Sequence, residues 1–210
     1  STEKSILKIN NSTITSHPKS QLVFQKESDA TIANSTIESG SKSGIISLSS
    51  TVHIYNTTIR EHNKPQLYAI NNAHFQLNKC YILAGKENGI LLEKASSATI
   101  KSSYIADHET FPQLYVDHSN LDMTTTEVNK SNSIGLYVIN GGKAHITDSQ
   151  INENNGIAQL ELVKNSHATL ERSTFSNGAH HGVRTEASVV NIHHCTFTNN
   201  SYSTTQTSAQ

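Results

Sequence analysis

The sequence predicts an all-β chain wound as a parallel β-helix of about nine turns, with three short strands to a turn. Three observations predict it. Strongly apolar residues recur roughly every 23 positions, at Ile14, Ile37, Ile59, Ile82, Ile105, Val128, Ile151, Phe175 and Phe197. Around each of these marks the local apolar spacing is two, the period of a strand and not of a helix. Only 34% of the 210 residues are hydrophobic, too few for a compact three-dimensional core unless they fall at strictly repeating positions.

The elements follow in order around one coil. The first strand carries two inward residues ahead of each mark, as in Leu7 and Ile9, Ala30 and Ile32, Val52 and Ile54, Phe75 and Leu77, or Ala98 and Ile100. A corner comes next. Its small residue, Ser12, Ser35, Thr57, Cys80, Ser103, Thr126, Ser149, Ser173 or Cys195, fits an inward position in a tight bend. The residue before it begins as Asn11, Asn34 and Asn56, whose side chains can bond to one another along the rod. The mark itself lies on the second strand. The third strand starts at Leu22, Ile45, Leu67, Ile90, Leu114, Leu136, Leu160 and Val183, after gaps rich in Ser, Asn, Gly and Pro. One coil thus reads ATI (98–100), SYI (103–105) and QLYV (113–116). Strands of successive coils pair about 4.8 Å apart, giving a rod of roughly 40 Å. The β-helix is expected over residues 1–200, and the polar segment SYSTTQTSAQ (201–210) is expected to be disordered. Cys80 and Cys195 share a column five coils apart, roughly 24 Å at one strand spacing per coil. That is too far for a disulfide, so two free, buried thiols are expected.

Units such as ATIANSTIESGSKSGIISL (30–48) resemble the repeat of the pectate-lyase-like superfamily, and the resemblance runs over nearly the whole chain. It implies a right-handed, single-stranded parallel β-helix. With the Asn corner as the superfamily's second turn, it also implies that the third strand lies in the sheet on which the superfamily's enzymes lay their glycan. The superfamily holds lyases, hydrolases, epimerases, adhesins and non-enzymatic binding modules, so the resemblance implies a fold and no single activity.

A longer echo lies on top of the coil. HNKPQLYAI (62–70) returns as HETFPQLYV (108–116). The residue before the third strand alternates through Gln21, Gly44, Gln66, Gly89, Gln113, Gly135, Gln159 and Gly182. Pro18, Pro65 and Pro112, with His17, His62 and His108, all fall in the Gln-type coils. This predicts two alternating loop forms, one fixed by Pro and one that Gly permits through positive φ. The Gln or Gly is expected to point outward, because its neighbour points in. The residue after that neighbour also points outward: Val23, Ile46, Tyr68, Leu91, Tyr115, Tyr137, Glu161 and Arg184. An apolar and aromatic run on a solvent face suggests a binding surface. Its candidate contact residues are Tyr68, Tyr115, Tyr137, Leu91, Gln66 and Gln113, and its partner would be a protein or a polysaccharide.

Other functions find less support. A formal net charge of −1 gives no basic face for nucleic acid, and no apolar run is long enough to span a membrane. The twelve histidines show no metal-ligand spacing, and no cofactor motif is present. The competing reading is a polysaccharide lyase or hydrolase, or its remnant, using Asp117, His118, Glu161 and Arg184. Against it, Glu161 and Arg184 are expected to pair across adjacent coils, and no coil carries a long insertion from which to build a cleft. The sequence therefore points to a non-catalytic binding or scaffold module of a larger protein. Uncapped solenoid ends favour end-to-end or lateral self-association. Unpaired cysteines without a signal peptide favour the cytoplasm, unless the chain is a fragment.

Overall fold

The structure is a computed structural model that describes residues 5–207. Among these residues there is no helix, and the strands form three parallel sheets of nine strands each. Every coil gives one strand to each sheet, as Ser97–Lys101, Tyr104–Ala106 and Leu114–Asp117 do in turn. Like sits over like. Ala98 pairs with Phe75 and Leu121, and Ile100 with Leu77 and Met123. Ile105 lies between Ile82 and Val128. Because each sheet keeps this register, the period-two apolar residues of all three strands meet in one buried column along the rod.

The corners explain the small residues. The position before them has positive φ in every coil, from Asn11, Asn34 and Asn56 through Lys79, Ser102, Thr125, Asp148 and Arg172 to His194. Most side chains resist that conformation; Asn tolerates it best after Gly. Hydrogen bonds from the next residue offset the cost. Ser103 Oγ accepts the Cys80 N–H of the preceding coil at 3.0 Å and donates to its own strand at Lys101 O, 2.8 Å away. Thr126, Ser149 and Ser173 repeat both bonds. A small hydroxyl there therefore serves bonding as well as space. The asparagine ladder runs from Asn56 to Asn34 at 2.9 Å and then to Asn10 at 3.0 Å, not to Asn11 as the column suggested.

Two expectations are corrected. Of the segment 201–210, expected to be disordered, Tyr202–Thr207 forms a further strand beside His181–Glu186. The preceding strand leaves its N–H and C=O groups open on that edge, and a Thr-rich segment suits a strand; residues 208–210 lie outside those described. Both cysteines are free, but only Cys80 is buried. Cys195 is half-exposed because its first- and second-sheet strands are the last in their sheets. Burial pushes the Cys80 thiol up to about 11. A thiol reagent at mildly alkaline pH should therefore label Cys195 promptly and Cys80 only on unfolding. Equal, rapid labelling of both would contradict the packing of this corner.

Candidate functional site

The strand pattern breaks just before the third sheet, and the break decides which side chains reach its outer face. Gln66 and Leu67 both donate their N–H groups to the following coil, to Asn88 O and Gly89 O at 3.0 Å each. Gln113 and Leu114 do the same toward Ile134 O and Gly135 O. Successive residues of a regular strand bond to opposite neighbours, so this is a bend, and both side chains of each pair turn inward. Gln66 and Gln113, expected to point outward as ligand contacts, have no exposed surface and cannot make them.

The buried glutamines hold histidines. His62 Nδ1 bonds to Gln66 Oε1, and its Nε2 lies 2.9 Å from Gln21 Oε1. Gln66 Nε2 donates to Leu83 O at 2.9 Å. His108 Nδ1 meets Gln113 Oε1 at 2.5 Å, while Gln113 Nε2 donates to Asn129 O and to Asn154 Oδ1. Two coils on, Asn154 takes the place of the histidine and donates to Gln159 Oε1 at 2.7 Å. Burial pulls both imidazoles below their usual range, His108 to about 4. His108 Nε2 has no hydrogen-bond partner among the described residues, as fits a neutral ring with its proton on Nδ1.

These rings also explain the glycines. A Cβ on Gly40 would come within 2.6 Å of His62 Cδ2, and one on Gly44 within 2.9 Å of His62 Cε1. On Gly85 and Gly89 it would meet the His108 ring at 2.8 and 2.9 Å. None of the four has positive φ; among the described glycines that holds for Gly141 alone. The expected reason for the alternation is thus replaced by another. Each histidine lies against the coil before it, and only Gly-x-x-x-Gly leaves room. The 46-residue echo is a packing unit of two coils.

With the corner filled, the outward side of the third sheet is clear. In register, Ile46, Tyr68, Leu91, Tyr115, Tyr137, Glu161 and Arg184 stand in one column. The three tyrosines are half-buried, and the Tyr115 and Tyr137 ring centres are 5.3 Å apart. Two residues further along each strand comes a second outward column: Leu48, Ile70, Glu93, Asp117, Ile139, Val163 and Glu186. Sequence reasoning singled out Asp117 of this column but missed its apolar members, which strand alternation carried two positions on would have found. Tyr68 Oη donates to Glu93 Oε2 at 2.6 Å, and Asp117 Oδ1 accepts from Asn140 Nδ2 at 2.8 Å. Burial raises all three phenols above their usual range, helped by Glu93 at Tyr68, Asp117 at Tyr115 and Glu161 at Tyr137. At neutral pH they remain hydroxyl donors.

Of the four residues of the enzymatic reading, the structure joins two. Arg184 binds Glu161, which is 5% exposed, and reaches Glu186 at 3.2 Å. Asp117 lies on the same face but is held by Asn140. His118 sits on the corner beyond the strand, exposed, with Nδ1 3.3 Å from Asn140 O. His108, the other histidine of that coil, is buried ahead of the strand and does not approach them. Among the described residues no three His, Cys, Asp or Glu side chains converge as metal ligands. A shallow depression of about 490 Å³ lies away from the tyrosines, on the first sheet among His74, Asp122, Lys143, His145 and His167. There His145 lies 3.7 Å from Asp122, and on its other side 3.8 Å from Glu171.

The family model for the right handed beta helix region matches residues 1–120 and 67–210. No curated protein sequence matches the chain. Among solved structures, the A-module of mannuronan C-5 epimerase AlgE4 from Azotobacter vinelandii superposes with a TM-score of 0.77 at 13% identity, over 97% of this chain and 64% of that one. The A-module of AlgE6 from the same organism gives a TM-score of 0.70 at 12% identity, over the same shares of the two chains. This chain therefore spans less than two thirds of either module, and at these identities the likeness is one of fold.

Proposed function

This chain belongs to the right-handed β-helix family, and we propose that it is a binding and scaffold module whose tyrosine-lined face contacts a polysaccharide or partner protein without transforming it. The observation that carries this reading is the continuous half-exposed run of Tyr68, Leu91, Tyr115 and Tyr137 on a rigid sheet. The corresponding central column of the first sheet is polar instead: Thr31, His53, Gln76, Thr99, Asp122 and His145. A tyrosine offers a flat apolar body with a polar tip, suited to stacking against a sugar ring or a protein side chain. Rings fixed by a sheet lose little freedom on binding. A catalytic role fits less well, since a general acid or base must reach the reacting proton. Here Glu161 is tied to Arg184 and Asp117 to Asn140. The mannuronan-acting modules of the same fold favour a glycan as the ligand.

The test is binding to a panel of oligosaccharides by titration calorimetry. Tyr115→Ala should weaken binding about tenfold while leaving the circular-dichroism spectrum unchanged. The proposal fails if Tyr115→Ala binds as wild type does, or if the chain degrades or isomerises a polysaccharide and Asp117→Asn abolishes that turnover.

A further inference from the structure

The charge of this face narrows its ligand. Resting on the binding reading above, we propose that the tyrosine stripe takes a cationic glycan, a polymer of unacetylated amino sugars. Along the outward columns of the third sheet stand four carboxylates, Glu93, Asp117, Glu161 and Glu186, and one cation, Arg184. Arg184 is occupied by Glu161 and Glu186. Glu93 and Asp117 have only neutral partners, the Tyr68 hydroxyl and the Asn140 amide, and no cation within ion-pair reach among the described residues. The lysines that directly follow these strands, Lys94 after Glu93 and Lys164 after Val163, lie on corners past the strand ends, at positive φ. The face thus holds uncompensated negative charge in a chain whose formal net charge is only −1.

The two carboxylates that lack a cationic partner are placed for use. Glu93 follows Leu92, which pairs with Val116, so Glu93 and Asp117 stand on adjacent coils, about 4.8 Å apart along the rod. They flank the tyrosines: Glu93 touches Tyr68, and the charges of both Asp117 and Glu93 act on Tyr115. An ammonium group laid over a tyrosine face is attracted by the ring and here also by a carboxylate beside it. A polyuronate would bring its own carboxylates against Glu93 and Asp117 and be repelled. The pitch favours a sugar over a basic peptide. Tyr68 and Tyr115 are two coils apart, about 9.6 Å, near the length of a disaccharide unit in an extended glycan. An extended peptide repeats its same-side residues about every 6.8 Å, out of step with the coils.

The experiment compares binding of glucosamine, N-acetylglucosamine and mannuronate hexamers and of oligolysine, at a pH where the amines are protonated. It uses the wild-type chain, Tyr115→Ala, and the double variant Glu93→Gln/Asp117→Asn. Wild type should prefer the glucosamine oligomer about tenfold, with a preference that weakens in salt and disappears in the double variant. Equal or tighter binding of the acetylated or uronate oligomer overturns the inference and leaves the binding module standing, as does a preference the double variant keeps. Tighter binding of oligolysine replaces the sugar with a peptide. Failure to bind any of the probes overturns the inference and leaves only the partner-protein form of the reading beneath it.

Discussion

Replacing Gly40 by alanine is expected to destabilise the protein by about 2 kcal/mol, although the change adds a single methyl group. The new Cβ would stand 2.6 Å from His62 Cδ2, inside any acceptable contact. The ring cannot simply withdraw, because its nitrogens are engaged by Gln66 on one side and Gln21 on the other. In a His62→Ala background the obstructing ring is gone, and the same substitution should cost less than about 1 kcal/mol. Urea unfolding of the four proteins in a double-mutant cycle should give a coupling above about 1 kcal/mol, as contacting residues do. Additive costs would remove the explanation of the 46-residue echo as histidine packed on glycine.

Acid should destabilise the chain in a window set by a group that makes no surface contact. His108 is 1% exposed, and burial pulls its imidazole down to about 4, against about 6.5 in an unfolded chain. As pH falls, the unfolded chain takes up the proton first. Stability from this site is therefore present in full above about pH 6.5 and is lost progressively down to about pH 4. A displacement of that size is worth roughly 3 kcal/mol. The groups facing the ring are Gln113, Gly85 and Gly89, with Asp107 the charge that acts on it and opposes the shift. His62 is shifted in the same direction by burial, so it adds loss in the same sense. Stability measured in urea across this range should fall more gently for His108→Gln, by about 1 kcal/mol per pH unit. An unchanged slope would mean that His108 is not held as a buried neutral ring.

How much of this was legible in the sequence depends on where a residue sits in the coil. Ile9, Ile14 and Leu22, with their counterparts in later coils, mark the three sheets in the amino-acid string. The same counting put Tyr68, Tyr115 and Tyr137 on one outward column, where the structure has them. It also paired Glu161 with Arg184, as observed. In a solenoid each coil touches only its neighbours, so a fixed spacing along the chain becomes a fixed column in space.

The corners obey no such rule. Gln66 and Gln113 look outward when alternation is counted from Leu67 and Leu114, but the bend breaks the alternation and buries them. Gly40 and Gly85 look like residues chosen for positive φ, yet the histidine of the next coil excludes a side chain there. Cys195 stands in a column of buried residues and is half-exposed because it lies in the last coil. Periodicity along the chain thus determined the coil, its register and the tyrosine column, because strand alternation is a local backbone property. The tertiary structure alone decided which corner side chains turn inward and which carboxylates keep a free charge, because those depend on atoms contributed by the coils above and below.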